Sequence, residues 1–511
     1  MKPEDRNRAK ELYREFRKRS WQHLWRDEVP RFNAACPEER NKTVAVIRAV
    51  GVVFAESGPV EEKDKVREWL LQLLQDPSEK VRRYAMAAMP KIGAGAPEEQ
   101  KLLATLRTGP QEREKKYLAR TLEKIGGPAA LETGSLGDAE QKIKAGIARR
   151  ETPSALRVNA ILVPASDLRI HLRSRSGLEQ FVCDEVTERM NGKFRVAEVH
   201  AGRVAVVPFA PFSLADIYAM RCFGSVGFVL GKVDAADQEE STEALAAVIT
   251  SAQSRRLFET FTEGAIRYRL NFVFKGHQRG AVDRLARQVY AQCPEILNDP
   301  RNVTWTIDMY PEARGQSVEL RPNMTPDPRY AYRRRDVPAA SHPPLAACLA
   351  RLAGRLPNEV IWDPFCGSGL ELIESALLGG ARSVCGTDLS SEAIAIAQNN
   401  FAAAQVKSVP ATFICGDFRK IASTKNFAGG PVTLIITNPP MGMRVPVADL
   451  RGLIADLFSV SVSVLKPGGR LVFVNPLAQV RPPPSLKLEF AQKVDMGGFH
   501  CRLEKYLRTT T

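Results

Sequence analysis

Apolar residues recur every three to four positions through the first 130 residues, whereas from about Leu168 they fall into short runs of changing period. The first pattern predicts packed amphipathic helices, and the second predicts strands interleaved with helices. The helical part repeats itself: DPSEKVRRYAMAAMPKIG from Asp76 is echoed 33 residues later by GPQEREKKYLARTLEKIG from Gly109. Tyr84 and Tyr117, Ile92 and Ile125, and Gly93 and Gly126 then fall in register. Asp76 is expected to be the N-cap, with Pro77 in the first turn and Glu79 at the third helical position, and Gly93 and Gly126 are expected helix stops. Residues 131–163 mix Gly, Ser, Pro and charge without sustained periodicity and are expected to link two domains. Beyond them LRIHLRSR, KFRVAEVHAGRVAVVP, IRYRLNFVF, TWTIDMY and QSVELRP predict strands, with helices over GLEQFVCDEVTERM and from about Gly280 to Cys293.

The last third has a sharper pattern. Residues 359–389, EVIWDPFCGSGLELIESALLGGARSVCGTDL, read as a buried strand ending at Trp362, a glycine turn, a helix and a second strand ending at Asp388. This is the βαβ opening of a doubly wound sheet. Gly367 and Gly369 permit close backbone approach to a bound cofactor, and Asp388, nineteen residues beyond Gly369, is placed to accept from ribose hydroxyls. A dinucleotide is disfavoured, because position 372, where a third glycine would stand, is Leu. CGDF follows, with Asp417 expected at the end of a third strand and able to accept from an adenine amine. LIITNPPMG carries Asn438, Pro439 and Pro440 at the end of a fourth, and LKPGGRLVFVNP supplies a turn and a fifth.

These landmarks in this order resemble the class I methyltransferases, in the subgroup with D-P-x-C-G-S-G and N-P-P signatures that methylate amino nitrogens. The resemblance implies a seven-stranded α/β domain over 327–511 and S-adenosylmethionine as cofactor. It also implies a cofactor site of Asp363, Pro364, Cys366, Gly367, Ser368, Gly369, Asp388, Leu389, Asp417, Phe418 and Asn438. Asn438 and a neighbouring carbonyl, that of Pro439, are expected to accept the two hydrogens of an exocyclic amine, so that positioning does most of the catalysis. Pro440 and Met441 complete the expected catalytic turn. The resembled family usually has an aromatic residue where Met441 stands, to stack on the target base, and Phe365 is the expected substitute. Leu370 likewise replaces a common Thr.

RSGLEQFVCDEV resembles the opening of the region preceding the catalytic domain in THUMP-domain RNA methyltransferases, and 164–326 is expected to be a THUMP-like α+β module. DPRYAYRRRDVPAASHPPLAACLARLAG, residues 327–354, resembles the passage by which those enzymes enter their catalytic domain. Arg333, Arg334 and Arg335 are expected to meet RNA phosphates, with Ser341 and His342 at a helix start facing the cleft. Residues 1–130 resemble a short HEAT-type scaffold. The target implied is guanine N2 in structured RNA, rRNA or tRNA. Adenine N6, a protein glutamine, and a catalytically weak ribosome-assembly factor stay open as alternatives, as does a protein partner for the helical region.

Composition changes this picture only at the margins. The net charge is +15, and residues 1–150 hold 31 basic and 23 acidic side chains, a field suited to collecting a polyanion. The nine scattered cysteines form no C-x-x-C pair, so a disulfide framework and a metal site are both disfavoured and buried free thiols are expected. There is no apolar run of membrane-spanning length and the start is highly charged, so a cytoplasmic protein without membrane contact is expected.

Overall fold

The structure is a computed structural model. It describes residues 3–131 except 94, then 143, 146–147 and 151–510, apart from 166, 235–237, 275, 277, 300–302, 339, 407, 426, 443–446 and 478–480. Most of the expected linker, 132–142, 144–145 and 148–150, therefore lies outside the described residues. The chain divides into two compact units, Met1–Pro153 and Ser154–Thr511.

The first unit is all helix among its described residues, and its apolar stripes meet in one core that includes Leu24, Ile47, Val66, Val81, Leu102, Leu118 and Leu122. Buried acid–arginine pairs fix the stacking of alternate helices. Glu98 on Ala96–Arg107 takes two bonds, 2.7 and 2.8 Å, from Arg67 on Lys63–Leu73, and Glu114 on Glu112–Ile125 takes two, 2.6 and 2.8 Å, from Arg82 on Glu79–Ile92. Burial raises the pKa of the Glu98 carboxyl, but the hydrogen bonds from Arg67 and from the backbone N–H groups of Gly95 and Glu98, with the Arg67 charge, together outweigh it and the net direction is down. The cap expected at Asp76 lies elsewhere. Ser78 is the N-cap of Glu79–Ile92, because Asp76 is turned to pair with Arg40 and to accept from the Ser78 N–H. Gly93 ends this helix in the left-handed conformation, while Gly126 ends the second copy with a negative φ, accepting no such turn.

The second unit contains two large sheets that share one hydrophobic core. In the eight-stranded sheet the order is Phe194–His200, Arg203–Pro208, Ile170–Arg173, Ser225–Val233, Gln316–Pro322, Trp305–Pro311, Ile266–Phe272 and Ile296–Asn298. Helices Glu179–Met190 and Arg279–Gln292 match the expected ones, while Ser225–Val233 and helices Gln238–Ile249 and Ala252–Phe261 had no expected counterpart.

The seven-stranded sheet carries the motifs. The elements that position the site are α1 (Pro343–Ala353), β1 (Glu359–Asp363), α2 (Leu370–Leu378), β2 (Ala381–Asp388), β3 (Ala411–Cys415), β4 (Val432–Thr437), β5 (Leu465–Asn475), β6 (Leu486–Asp495) and β7 (His500–Arg508), with further helices Ser391–Ala403, Phe418–Ala422 and Leu450–Val464 between the strands. The order is β3-β2-β1-β4-β5-β7-β6, parallel except for β7, which is antiparallel to both neighbours. Strand order reverses between β1 and β4, and ligands of such sheets bind beyond the carboxyl ends of the strands at that point. No helix of the described residues is long and apolar enough to cross a membrane.

Candidate functional site

Asp363 ends β1 and Asn438 follows β4, so the two motifs meet at the switch point although 75 residues separate them in sequence. Thr437 ties the strand ends together by donating to Asp363 Oδ1 at 2.6 Å, and the Phe365 N–H donates to the same oxygen at 3.0 Å. Asp363 Oδ2 is buried without a hydrogen-bond partner among the described residues. Burial, and then the negative charge of Glu371, hold the Asp363 carboxyl well above the ordinary aspartate range.

The turn that follows is shaped by glycine. Gly367 has φ 50° and Gly369 has φ 85°, and a Cβ on Gly369 would lie 3.2 Å from Ala397 Cβ. Both requirements favour glycine, which alone adopts left-handed backbone without steric cost. Asp388 at the tip of β2 accepts from the Gly367 N–H at 3.0 Å and the Ser390 N–H at 2.9 Å, so it braces the turn while its remaining lone pairs stay available. Leu389 beside it is 76% exposed. Pro364, Cys366 and Ser368 are buried in the turn, and Ser368 donates to Asp336 at 2.9 Å.

Two expected positions differ in detail. Asp417 does not end β3, which stops at Cys415; it is the N-cap of Phe418–Ala422, accepting from the Arg419 N–H and pairing with the Arg419 guanidinium at 3.1 Å. Phe418 is a buried core ring packed 4.8 Å from Phe365, so only the half-buried Phe365 of this pair has an open edge.

Asn438 sits in a polar cluster that sequence reading did not assemble. Its Nδ2 donates to Ser341 Oγ at 2.8 Å, Ser341 Oγ donates to Glu371 Oε1, and Asn438 Oδ1 is buried without a partner among the described residues. Ser341 immediately precedes His342, the N-cap of α1. Glu371 lies in the first turn of α2, where burial pushes its carboxyl up to about 6. Glu374, one turn on, accepts from Tyr332 and takes two 2.7 Å bonds from Arg221, which comes from the segment before Ser225–Val233. Met441 is half-buried with its sulfur 3.7 Å from Cys501 Sγ, so it packs against β7. Arg333 pairs with Asp336, Arg335 lies 3.7 Å from Glu392, and Arg334 is exposed with its backbone N–H bound to Asn400. No cluster of His, Cys, Asp and Glu among the described residues could hold a metal ion. All nine cysteines are free thiols, six of them buried, while Cys36 and Cys415 are exposed.

Residues 330–480 match the family model described as RMKL-like, methyltransferase domain. A tRNA (guanine(6)-N2)-methyltransferase of Thermus thermophilus is 32% identical over 166 residues, 32% of this chain and 48% of that relative, so the matched stretch spans about half of the relative's length. A protein of Methanothermococcus thermolithotrophicus named "Probable tRNA (guanine(10)-N2)-dimethyltransferase" is 30% identical over 139 residues, 26% of this chain and 78% of that relative. The crystal structure of TrmN from Thermus thermophilus superposes with a TM-score of 0.52 at 20% identity, covering 67% of this chain and 99% of that one.

Proposed function

The chain belongs to the RMKL-like class I methyltransferase family, and from that premise we propose that it transfers a methyl group from S-adenosylmethionine to the exocyclic N2 amine of a guanine in structured RNA. The names of the two relatives given above, a tRNA (guanine(6)-N2)-methyltransferase and a "Probable tRNA (guanine(10)-N2)-dimethyltransferase", make tRNA the first substrate to try.

The residues at the switch point suit the cofactor. Asp363 offers a buried carboxyl oxygen lacking a partner, whose ionised form an ammonium group would stabilise on binding, and the left-handed turn at Gly367 and Gly369 leaves backbone open to close approach. Asp388 has lone pairs left for ribose hydroxyls, Leu389 offers exposed apolar surface to a purine, and Asp417 is in reach of the same rim through its place after β3. Pro364, Cys366, Ser368 and Phe418 support this cradle from beneath. When bound, S-adenosylmethionine supplies an electrophilic methyl on a sulfonium.

The observation that carries the reading is Asn438 Oδ1: an unpartnered buried acceptor at the end of β4. An exocyclic amine delocalises its lone pair into the base, and an acceptor on its hydrogens holds the nitrogen in place and restores its nucleophilicity. The Pro439 carbonyl serves as the second acceptor, and Pro440 stiffens the turn. Such chemistry rests on position and asks for no strong base. Phe365 gives the base a ring edge, and Met441 lines the site from the β7 side. Residues 164–326, as a THUMP-like module, and the HEAT-like helices 1–130 deliver the RNA by shape and phosphate contact, joined by the exposed Arg334 and its neighbours Arg333 and Arg335. The test is Asn438→Ala assayed with radiolabelled methyl donor on tRNA from cells lacking the protein: transfer is lost while calorimetric cofactor affinity is kept. Unchanged transfer would overturn the reading.

A further inference from the structure

We propose that Ser341 and Glu371 are positioning residues that orient the Asn438 amide with its oxygen toward the target amine, an inference that rests on the role given to Asn438 above. A carboxamide has two orientations of nearly equal shape, and only one presents an acceptor. The other sets an N–H against the N–H of the amine. The neighbour that distinguishes them must itself have a fixed polarity. Ser341 alone has none, because a hydroxyl both donates and accepts.

Glu371 supplies the polarity. Its buried carboxylate takes the single Ser341 proton, which leaves Ser341 only lone pairs for Asn438. Asn438 therefore turns its Nδ2 to Ser341, at 2.8 Å, and its Oδ1 is left buried without a partner among the described residues, free to accept from the target amine. The three residues come from three separate places: the loop before α1, the first turn of α2 and the end of β4. Each is anchored by its own element, so the relay is set by the fold before substrate arrives.

The relay has a proton switch. Burial, opposed by the Ser341 and backbone hydrogen bonds and reinforced by the charge of Glu374, pushes the Glu371 carboxyl up to about 6. Protonated Glu371 becomes a donor to Ser341, whose own proton then seeks the Asn438 oxygen, and the amide turns over. Methyl transfer thus declines as pH falls through this range. The other ionisable groups around Glu371 are Glu374, whose charge Arg221 and Tyr332 satisfy, Asp363 at the end of β1, Cys366 in the turn and His342 beside Ser341. Asp363 is also held high, so the limb belongs to Glu371 only where a Glu371 variant moves it.

The experiment measures kcat and KM from neutral to mildly acid pH for the full-length protein, with radiolabelled S-adenosylmethionine and tRNA from cells lacking it. Ser341→Ala should lower kcat about tenfold, the worth of one well-placed hydrogen bond, with cofactor affinity unchanged. Glu371→Gln replaces a carboxylate of fixed polarity with an amide that can turn either its oxygen or its N–H to Ser341, and it cannot titrate, so it should lower kcat toward the Ser341→Ala value at neutral pH and lose the acid limb. Glu371→Leu should behave as Ser341→Ala; if it does not fold, the other two variants decide. A wild-type rate in Ser341→Ala beside an inactive Asn438→Ala would overturn the relay and leave the role of Asn438 standing, and an acid limb unmoved in Glu371→Gln would overturn it equally. A wild-type rate in Asn438→Ala would overturn both.

Discussion

Asp388 braces the glycine turn and, in the function proposed, also accepts from the ribose hydroxyls, so its removal acts twice. Hydrogen bonds to a charged group are each worth about 1.5–3 kcal/mol, and Asp388→Ala is expected to weaken cofactor binding by one to two such bonds, read by calorimetry, while the loss of the brace lowers the melting temperature of a protein that still folds. Gly367→Val should do the same by placing a β-branched residue at φ 50°. Glu371 gives a stability prediction of definite sign. Its folded pKa of about 6 lies above the ordinary 4.5, so its ionisation destabilises the fold, with the penalty growing as pH rises from the lower value to the upper. Glu371→Gln should therefore be more stable at neutral pH by about 2 kcal/mol, and the difference should vanish in acid. Denaturant titrations at two pH values check this. At this scale the meeting of Asp363-Pro364 and Asn438-Pro439-Pro440 at neighbouring strand ends was legible, because each motif directly follows a short buried apolar run. Ser341 and Glu371 were not joined, because 30 residues and a strand's worth of folding lie between a loop and a helix, and a serine before a helix reads first as a cap.

Elements show a similar division. The βαβ opening was legible because a glycine turn between a buried strand and a helix has few other meanings, and the helical repeat because periodicity survives in single sequence. Ser225–Val233 was passed over for a physical reason: flanked on both edges and buried on most positions, it shows no two-residue alternation to read. The first cap was misread because Asp76 and Ser78 can both cap, and only the fold reveals that Asp76 is committed to Arg40. The same buried pairs that defeat local reading hold the stack together. Arg67→Met leaves the Glu98 carboxylate buried without its cation and should destabilise the first unit by about 3 kcal/mol, visible as a lowered first transition in calorimetry. A melting curve that matches the wild type would mean these pairs contribute nothing to stacking.

For the whole molecule, total charge was legible but its partition into working parts was not. A cut at residue 326, the domain boundary expected from sequence, would pass through one shared core and sever Arg221 from Glu374, whereas a cut after Pro153 follows the division into compact units. Residues 154–511 should therefore keep wild-type cofactor affinity while losing RNA affinity. Each phosphate contact given up should flatten the logarithmic salt slope by about 0.7–0.9. Equal RNA binding with and without residues 1–153 would assign the helical unit to a protein partner. Guanine N2 methylation directed by Asn438 is read out by nucleoside mass spectrometry of RNA from cells lacking the protein, complemented with wild type or Asn438→Ala. N2-methylguanosine should fall in the deletion, return with the wild type and stay low with the variant; an unchanged N2-methylguanosine level in the deletion, or its full return with Asn438→Ala, would contradict methylation directed by Asn438.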